Sequence, residues 1–156
     1  MLRLGQRKVS EAGAGRTVRM VRGDAMFVPV TNAVADAVTI GFGIRNVQVP
    51  IDTLGEVHRI LRPGGKLAIL EFGFPRNLLL RNSYKCYFRR VLPLVGKMVS
   101  RHSTAYSYLP ASVGTFWEPD EFCRILSSAG FTEVRAAPLT FGIVYLYLAT
   151  KPAVPG

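Results

Sequence analysis

The sequence predicts an α/β domain built on a mainly parallel sheet, and three observations carry that prediction. Two nearly continuous apolar runs, Asp36 to Phe42 and Lys66 to Phe72, have the length and composition of strands buried on both faces of a parallel sheet. Between them Ile51, Leu54, Val57, Ile60 and Leu61 recur at helical spacing, so the runs are joined by a helix-length, right-handed crossover. After a basic middle segment, two further strand-like stretches are separated only by Thr140-Phe141-Gly142, the length of a hairpin link.

Taken in order, Leu2 to Ala12 reads as a helix and Thr17 to Val21 alternates as a short strand. The crossover helix Ile51 to Leu61 is expected to stop at Pro63-Gly64-Gly65. Leu78 to Leu92 is an amphipathic helix, inserted where a doubly wound fold would pass straight to its next helix. Arg81, Lys85 and Arg89 share one face of it, and Leu80, Tyr84, Tyr87, Phe88 and Val91 supply the apolar one. A loop rich in Tyr, Ser and Pro spans His102 to Thr115. A helix from Pro119 to Ala129 ends at Gly130, and Phe131 to Leu139 pairs with Ile143 to Thr150. Residues 1–151 are therefore read as one domain carrying an inserted segment over about 76–101, with 152–156 a tail.

Composition narrows the function classes. The 156 residues are 49% hydrophobic and 19% charged, enough for one core and too apolar for wholesale disorder. No apolar run reaches the roughly 18 to 20 residues of a membrane span, and the basic start of the chain lacks a signal-peptide core, so a cytoplasmic protein is expected. Cys86 and Cys123 stand apart without ligand spacing, and no metal site is expected. The net charge of +10 is uneven: seven cations lie between Arg76 and Arg101 with no Asp or Glu among them. Such a block suits an anionic membrane surface, or is simply a solvated face; nucleic acid is disfavoured because no recognition motif or open stacking platform accompanies it.

Four segments together resemble the ubiquinone/menaquinone C-methyltransferase family: Gly23-Asp24-Ala25, VTIGFGIRN from Val38 to Asn46, EVHRILRPGGKLAILEF from Glu56 to Phe72, and YSYLPAS from Tyr106 to Ser112. With the terminal LTFGIVYLYLATK the resemblance covers Met1 to Lys151. It implies a class I, Rossmann-like methyltransferase sheet with an antiparallel C-terminal strand, S-adenosylmethionine as cofactor, and a prenylated quinol as substrate.

The residues have physical readings beside the family's. Ligands of open α/β sheets bind beyond the carboxyl ends of the strands, which puts Asp24 and Ala25 at that rim if Thr17 to Val21 is a strand. Asp24 would accept from an adenine amino group and the Ala25 amide would donate to a ring nitrogen; alternatively Asp24 is a turn residue. Gly41 lets a ligand approach the backbone, although relatives often carry a serine there. Arg45 would stabilise a developing phenolate and Asn46 would orient the ring oxygen, unless Arg45 makes a structural ion pair with Glu71. Glu71 would hold Arg45 or order a water that removes the quinol proton. Tyr106 and Tyr108 either clamp the substrate ring or pack the loop. His58 and His102 lack partners at ligand spacing and are read as incidental.

The glycine-rich turn and acid-ended strand with which this fold usually begins are not found, because Gly13 and Gly15 precede a strand rather than follow one. The chain is thus expected to lack the first two strands, which would leave Asp36 to Phe42 as an exposed apolar edge open to a second copy in a homodimer, or to Thr17 to Val21. The resemblance implies C-methylation of demethylmenaquinol or a polyprenyl benzoquinol, impaired in this chain. The competing expectation is a non-catalytic pseudoenzyme or partner-binding fragment of a quinone-synthesis assembly. A prenylated substrate and the basic segment together imply peripheral contact with the inner face of a membrane.

Overall fold

The computed structural model describes residues 2–86 and 116–153. Its elements are α1 (Leu2–Glu11), β1 (Ala35–Gly41), a single 3-10 turn (Ile44–Asn46), α2 (Pro50–Ile60), β2 (Leu61–Phe72), α3 (Leu78–Cys86), α4 (Pro119–Ser128), β3 (Thr132–Leu139), a second tight turn (Thr140–Gly142) and β4 (Val144–Thr150). The four strands form one sheet in the order β1-β2-β4-β3. β1 and β2 are parallel, β4 runs antiparallel to both of its neighbours, and the expected crossover and hairpin are both present. Apolar periodicity explains the core. Leu54 and Val57 of α2 and Phe122 and Leu126 of α4 bury against Leu67, Ile69, Tyr145 and Tyr147 of the central strands.

Three expectations are corrected. Thr17 to Val21 is not a strand: the Thr17 and Val18 amides turn back onto the Ala14 carbonyl, and Val18, Met20 and Val21 are exposed. Alternation alone does not make a strand without a neighbouring strand to pair with, and among the described residues none pairs with these five. No residue of β1 is fully buried, because β1 is an edge strand paired with β2 alone among the described residues. Finally, α2 ends at Ile60 and β2 begins at once, so Pro63-Gly64-Gly65 forms a bulge inside the strand instead of stopping the helix. The pairing jumps from Ala35 with Leu61 to Ala37 with Lys66. Glycine is required at Gly65, where a Cβ would lie 2.8 Å from the Arg62 carbonyl oxygen.

Lys151 closes this corner. Its ammonium donates to the His58 and Leu61 carbonyls at 2.7 and 2.8 Å, satisfying the C-terminal end of α2, while its backbone exchanges hydrogen bonds with Gly64 and Gly65. On the opposite face of α2, Glu56 and Arg59 form a bidentate pair that also accepts from the Val28 amide and donates to the Val28 and Val30 carbonyls. This pins the irregular stretch before β1 to the helix. The Arg59 guanidinium beside Glu56 holds that carboxyl below its usual range.

Candidate functional site

β1 and β2 end side by side, and the residues just past their carboxyl ends form the site. At Phe42 the chain leaves β1 in a left-handed conformation, φ 53°, that a bulky side chain adopts only under constraint. Its amide is held by the Leu70 carbonyl at 2.8 Å and its ring packs on Phe72, centroids 4.6 Å apart. The bend brings fully buried Ile44 into the core as a plug, which turns Arg45 back toward β2. Arg45 Nη1 donates to Glu71 Oε1 at 2.6 Å and to the Phe42 carbonyl at 2.8 Å; the Arg45 backbone amide donates to Glu71 Oε2 at 3.3 Å. The guanidinium lies over the Phe72 ring at 5.3 Å. Asn46 Nδ2 also donates to the Phe42 carbonyl, at 3.3 Å.

Glu71 has no exposed surface and also accepts from the Phe72 amide at 2.9 Å. A carboxylate shut away from solvent and bonded to Arg45 holds that side chain in place. The ion pair foreseen between Arg45 and Glu71 is therefore present. It leaves a permanently charged guanidinium, 9% exposed, at the rim.

A cleft of about 720 Å³ opens beside this pair, lined by Arg22, Gly23, Asp24, Ala25, Met26, Asn46, Val47 and Gln48. Asp24 and Ala25 line this cleft together with Asn46, although the loop carrying them does not follow a strand. Asp24 Oδ1 accepts from the Met26 amide at 3.0 Å, and the Phe27 amide closes the turn onto the Asp24 carbonyl. Asp24 is a turn residue as well as a cleft residue. Gly41 stands apart from the lining, with open space where a Cβ would point. Tyr106 and Tyr108 lie outside the described residues. No group of three His, Cys, Asp or Glu that could hold a metal occurs among the described residues. Phe42 escaped the sequence reading: its side chain says nothing of its carbonyl, and only its place between two glycines in GFG hints at an unusual backbone.

The sequence model of the ubiE/COQ5 methyltransferase family matches residues 1–151. The chain belongs to that family. A demethylmenaquinone methyltransferase of Anoxybacillus flavithermus is 39% identical over 152 residues, 97% of this chain and 64% of its own. That of Thermus thermophilus is 40% identical over 152 residues, 97% of this chain and 68% of its own; that of Mycolicibacterium vanbaalenii is 44% identical over 140, 90% and 61%. The chain therefore spans about 64% of the length of the first of these relatives. Among solved structures, a SAM dependent methyltransferase from Aquifex aeolicus superimposes with a TM-score of 0.65 at 16% identity, covering 96% of this chain and 63% of that one. An O-methyltransferase family protein from Burkholderia thailandensis gives 0.62 at 14%, covering 97% and 41%. These likenesses place the ubiE/COQ5 family chain on the class I methyltransferase fold.

Proposed function

We propose that the site serves S-adenosylmethionine-dependent C-methylation of a prenylated quinol ring, demethylmenaquinol or a polyprenyl benzoquinol. Family membership and the relatives' names support the reading, and one observation carries it: a largely enclosed, charge-compensated arginine stands beside a cleft at the carboxyl rim of a parallel strand pair. S-adenosylmethionine, when bound, supplies an electrophilic methyl group. The Asp24 carboxylate, through its remaining acceptor sites, and the Ala25 amide would hold its adenine end in the cleft. Arg45 stabilises the negative charge that grows on the ring oxygen as the quinol hydroxyl gives its proton to water, and Asn46 orients that oxygen. Glu71 keeps Arg45 in place.

Asp24 and Ala25 would engage the adenine end alone, so turnover by these 156 residues alone is expected to be poor. The outer edge of β1, without a strand neighbour among the described residues, favours a second reading as a non-catalytic partner-binding piece of a quinone-synthesis assembly. Transfer of labelled methyl to a short-chain demethylmenaquinol separates them. One arm uses the chain alone, the other the chain joined to the part of the Anoxybacillus relative that it does not match. Ring-methylated product in the joined arm and little in the other is expected. No product in either supports the second reading, and equal turnover in both shows the cofactor site to be misplaced.

A further inference from the structure

Phe42 is held in two unfavourable states at once. Its backbone, at φ 53°, is in a left-handed conformation that asparagine or glycine would take with little strain. Its ring is 37% exposed, even with Phe72 packed against it. Its neighbours give that strain a use. The Phe42 carbonyl accepts from Arg45 Nη1 at 2.8 Å and from Asn46 Nδ2 at 3.3 Å, so one backbone group sets both side chains assigned above to the substrate oxygen. The Phe42 ring meets the Phe72 ring at 4.6 Å with a tilt of 36°, and the Arg45 guanidinium lies over that same Phe72 ring at 5.3 Å. Aromatic surface, a cation and an amide donor thus converge where β1 and β2 end. Open space at the Cβ position of Gly41 leaves room there for a ligand. Packing on Phe72 alone does not call for a left-handed phenylalanine, and backbone strain that the fold maintains gathers at functional sites.

We propose that Phe42 is a specificity-determining residue: the quinol ring lies against the exposed part of the Phe42 ring, with its oxygen toward Arg45 and Asn46. A flat, electron-rich ring is positioned by offset stacking on an aromatic wall, the more strongly the larger the overlapping π surface. The wall therefore favours a fused two-ring quinol over a single-ring one. This deepens the function proposed above, and it rests on that reading. A Phe42 that served only to shield the Arg45–Glu71 pair from water would confer no preference between the two ring systems.

The test is NMR titration of the full chain with naphthohydroquinone and with benzohydroquinone, both kept reduced under argon. Nuclear Overhauser contacts are expected between the naphthohydroquinone protons and the Phe42 ring. Phe42→Asn keeps the left-handed bend and removes the wall, so the ratio of the two affinities should fall toward the single-ring ligand by at least about threefold. Phe42→Tyr keeps the wall and should keep the ratio. Partial loss of stability lowers both affinities alike and leaves their ratio unmoved. An unchanged ratio in Phe42→Asn overturns the proposal, as does a ratio lost in Phe42→Tyr, or ligand contacts with Arg45 and none with Phe42. Each of these leaves the methyltransferase reading standing. Failure of either quinol to bind at the rim overturns the wall and that reading together.

Discussion

Arg45 and Glu71, 26 residues apart in sequence, meet at 2.6 Å with the carboxylate wholly enclosed, so each side chain is the other's main compensation for burial. Breaking the pair from one side leaves a buried charge. Arg45→Ala and Glu71→Ala should each destabilise the fold by about 3–5 kcal/mol. The double substitution Arg45→Ala with Glu71→Ala should cost well under the sum of the two single losses. Urea unfolding of the three variants gives the coupling, and additive effects would show the two groups to be independent.

Phe42 should tolerate a polar replacement better than an apolar one. Phe42→Asn and Phe42→Val both lose the packing on Phe72, worth about 1 kcal/mol, but only valine resists a positive φ. Valine should therefore be less stable than asparagine by about 1 kcal/mol or more. It should also loosen Asn46, whose amide shares the Phe42 carbonyl, seen as faster exchange of the Asn46 side-chain protons. Equal stability would mean that the bend is not constrained.

The Tyr147 hydroxyl is buried without a hydrogen-bond partner among the described residues, and burial pushes its ionisation far above the usual phenol range. Its ring meets Phe122 edge-on at 4.8 Å. Tyr147→Phe keeps that ring and removes the orphan polar atom. The substitution should be neutral or stabilising by about 1 kcal/mol, measured by thermal unfolding. A loss of similar size would reveal a partner for the hydroxyl.

Acid should weaken the fold in part through His58. Burial and the neighbouring Lys151 ammonium lower its pKa below the ordinary 6.5, while its ring packs edge-on against Phe131. With the folded value depressed, the unfolded chain takes up the proton first. The stabilising contribution is full above 6.5 and is lost as pH falls through the folded value. Glu56, also depressed, is lost at lower pH still. Between about pH 7 and about pH 5 the urea midpoint of the native chain should drop more than that of His58→Phe. Parallel curves would remove His58 from the explanation.

Much of the fold was legible because it depends on patterns that repeat locally. The β1-α2-β2 unit follows from two apolar runs around a helical stripe, and the β3-β4 hairpin from a three-residue link. The meeting of Arg45 with Glu71 was legible too, since parallel strands end at a common rim. What escaped depends on neighbours. Thr17 to Val21 alternates but finds no strand to pair with. The Gly64 and Gly65 bulge is indistinguishable in sequence from a helix stop. Arg76 and Arg81 stand in an acid-free stretch yet find Asp120 and Glu118 on another element. The left-handed turns at Phe42 and Phe141 are invisible because nothing in a phenylalanine announces its backbone.

The central claim is that one rim holds the adenine cleft and the quinol-facing arginine as separate parts of a single site. Titration of the isotopically labelled chain followed by NMR tests it most directly. S-adenosylmethionine alone should shift the amides of Gly23 to Met26 and Asn46 to Gln48, and the Arg45 guanidinium should respond only when a short-chain demethylmenaquinol is added. Arg45→Ala should keep the first response and no longer bind the short-chain demethylmenaquinol. Shifts confined to the cleft around Lys66, Glu133 and Arg135 on the other end of the sheet, or an Arg45 signal that moves with the cofactor alone, would contradict the account.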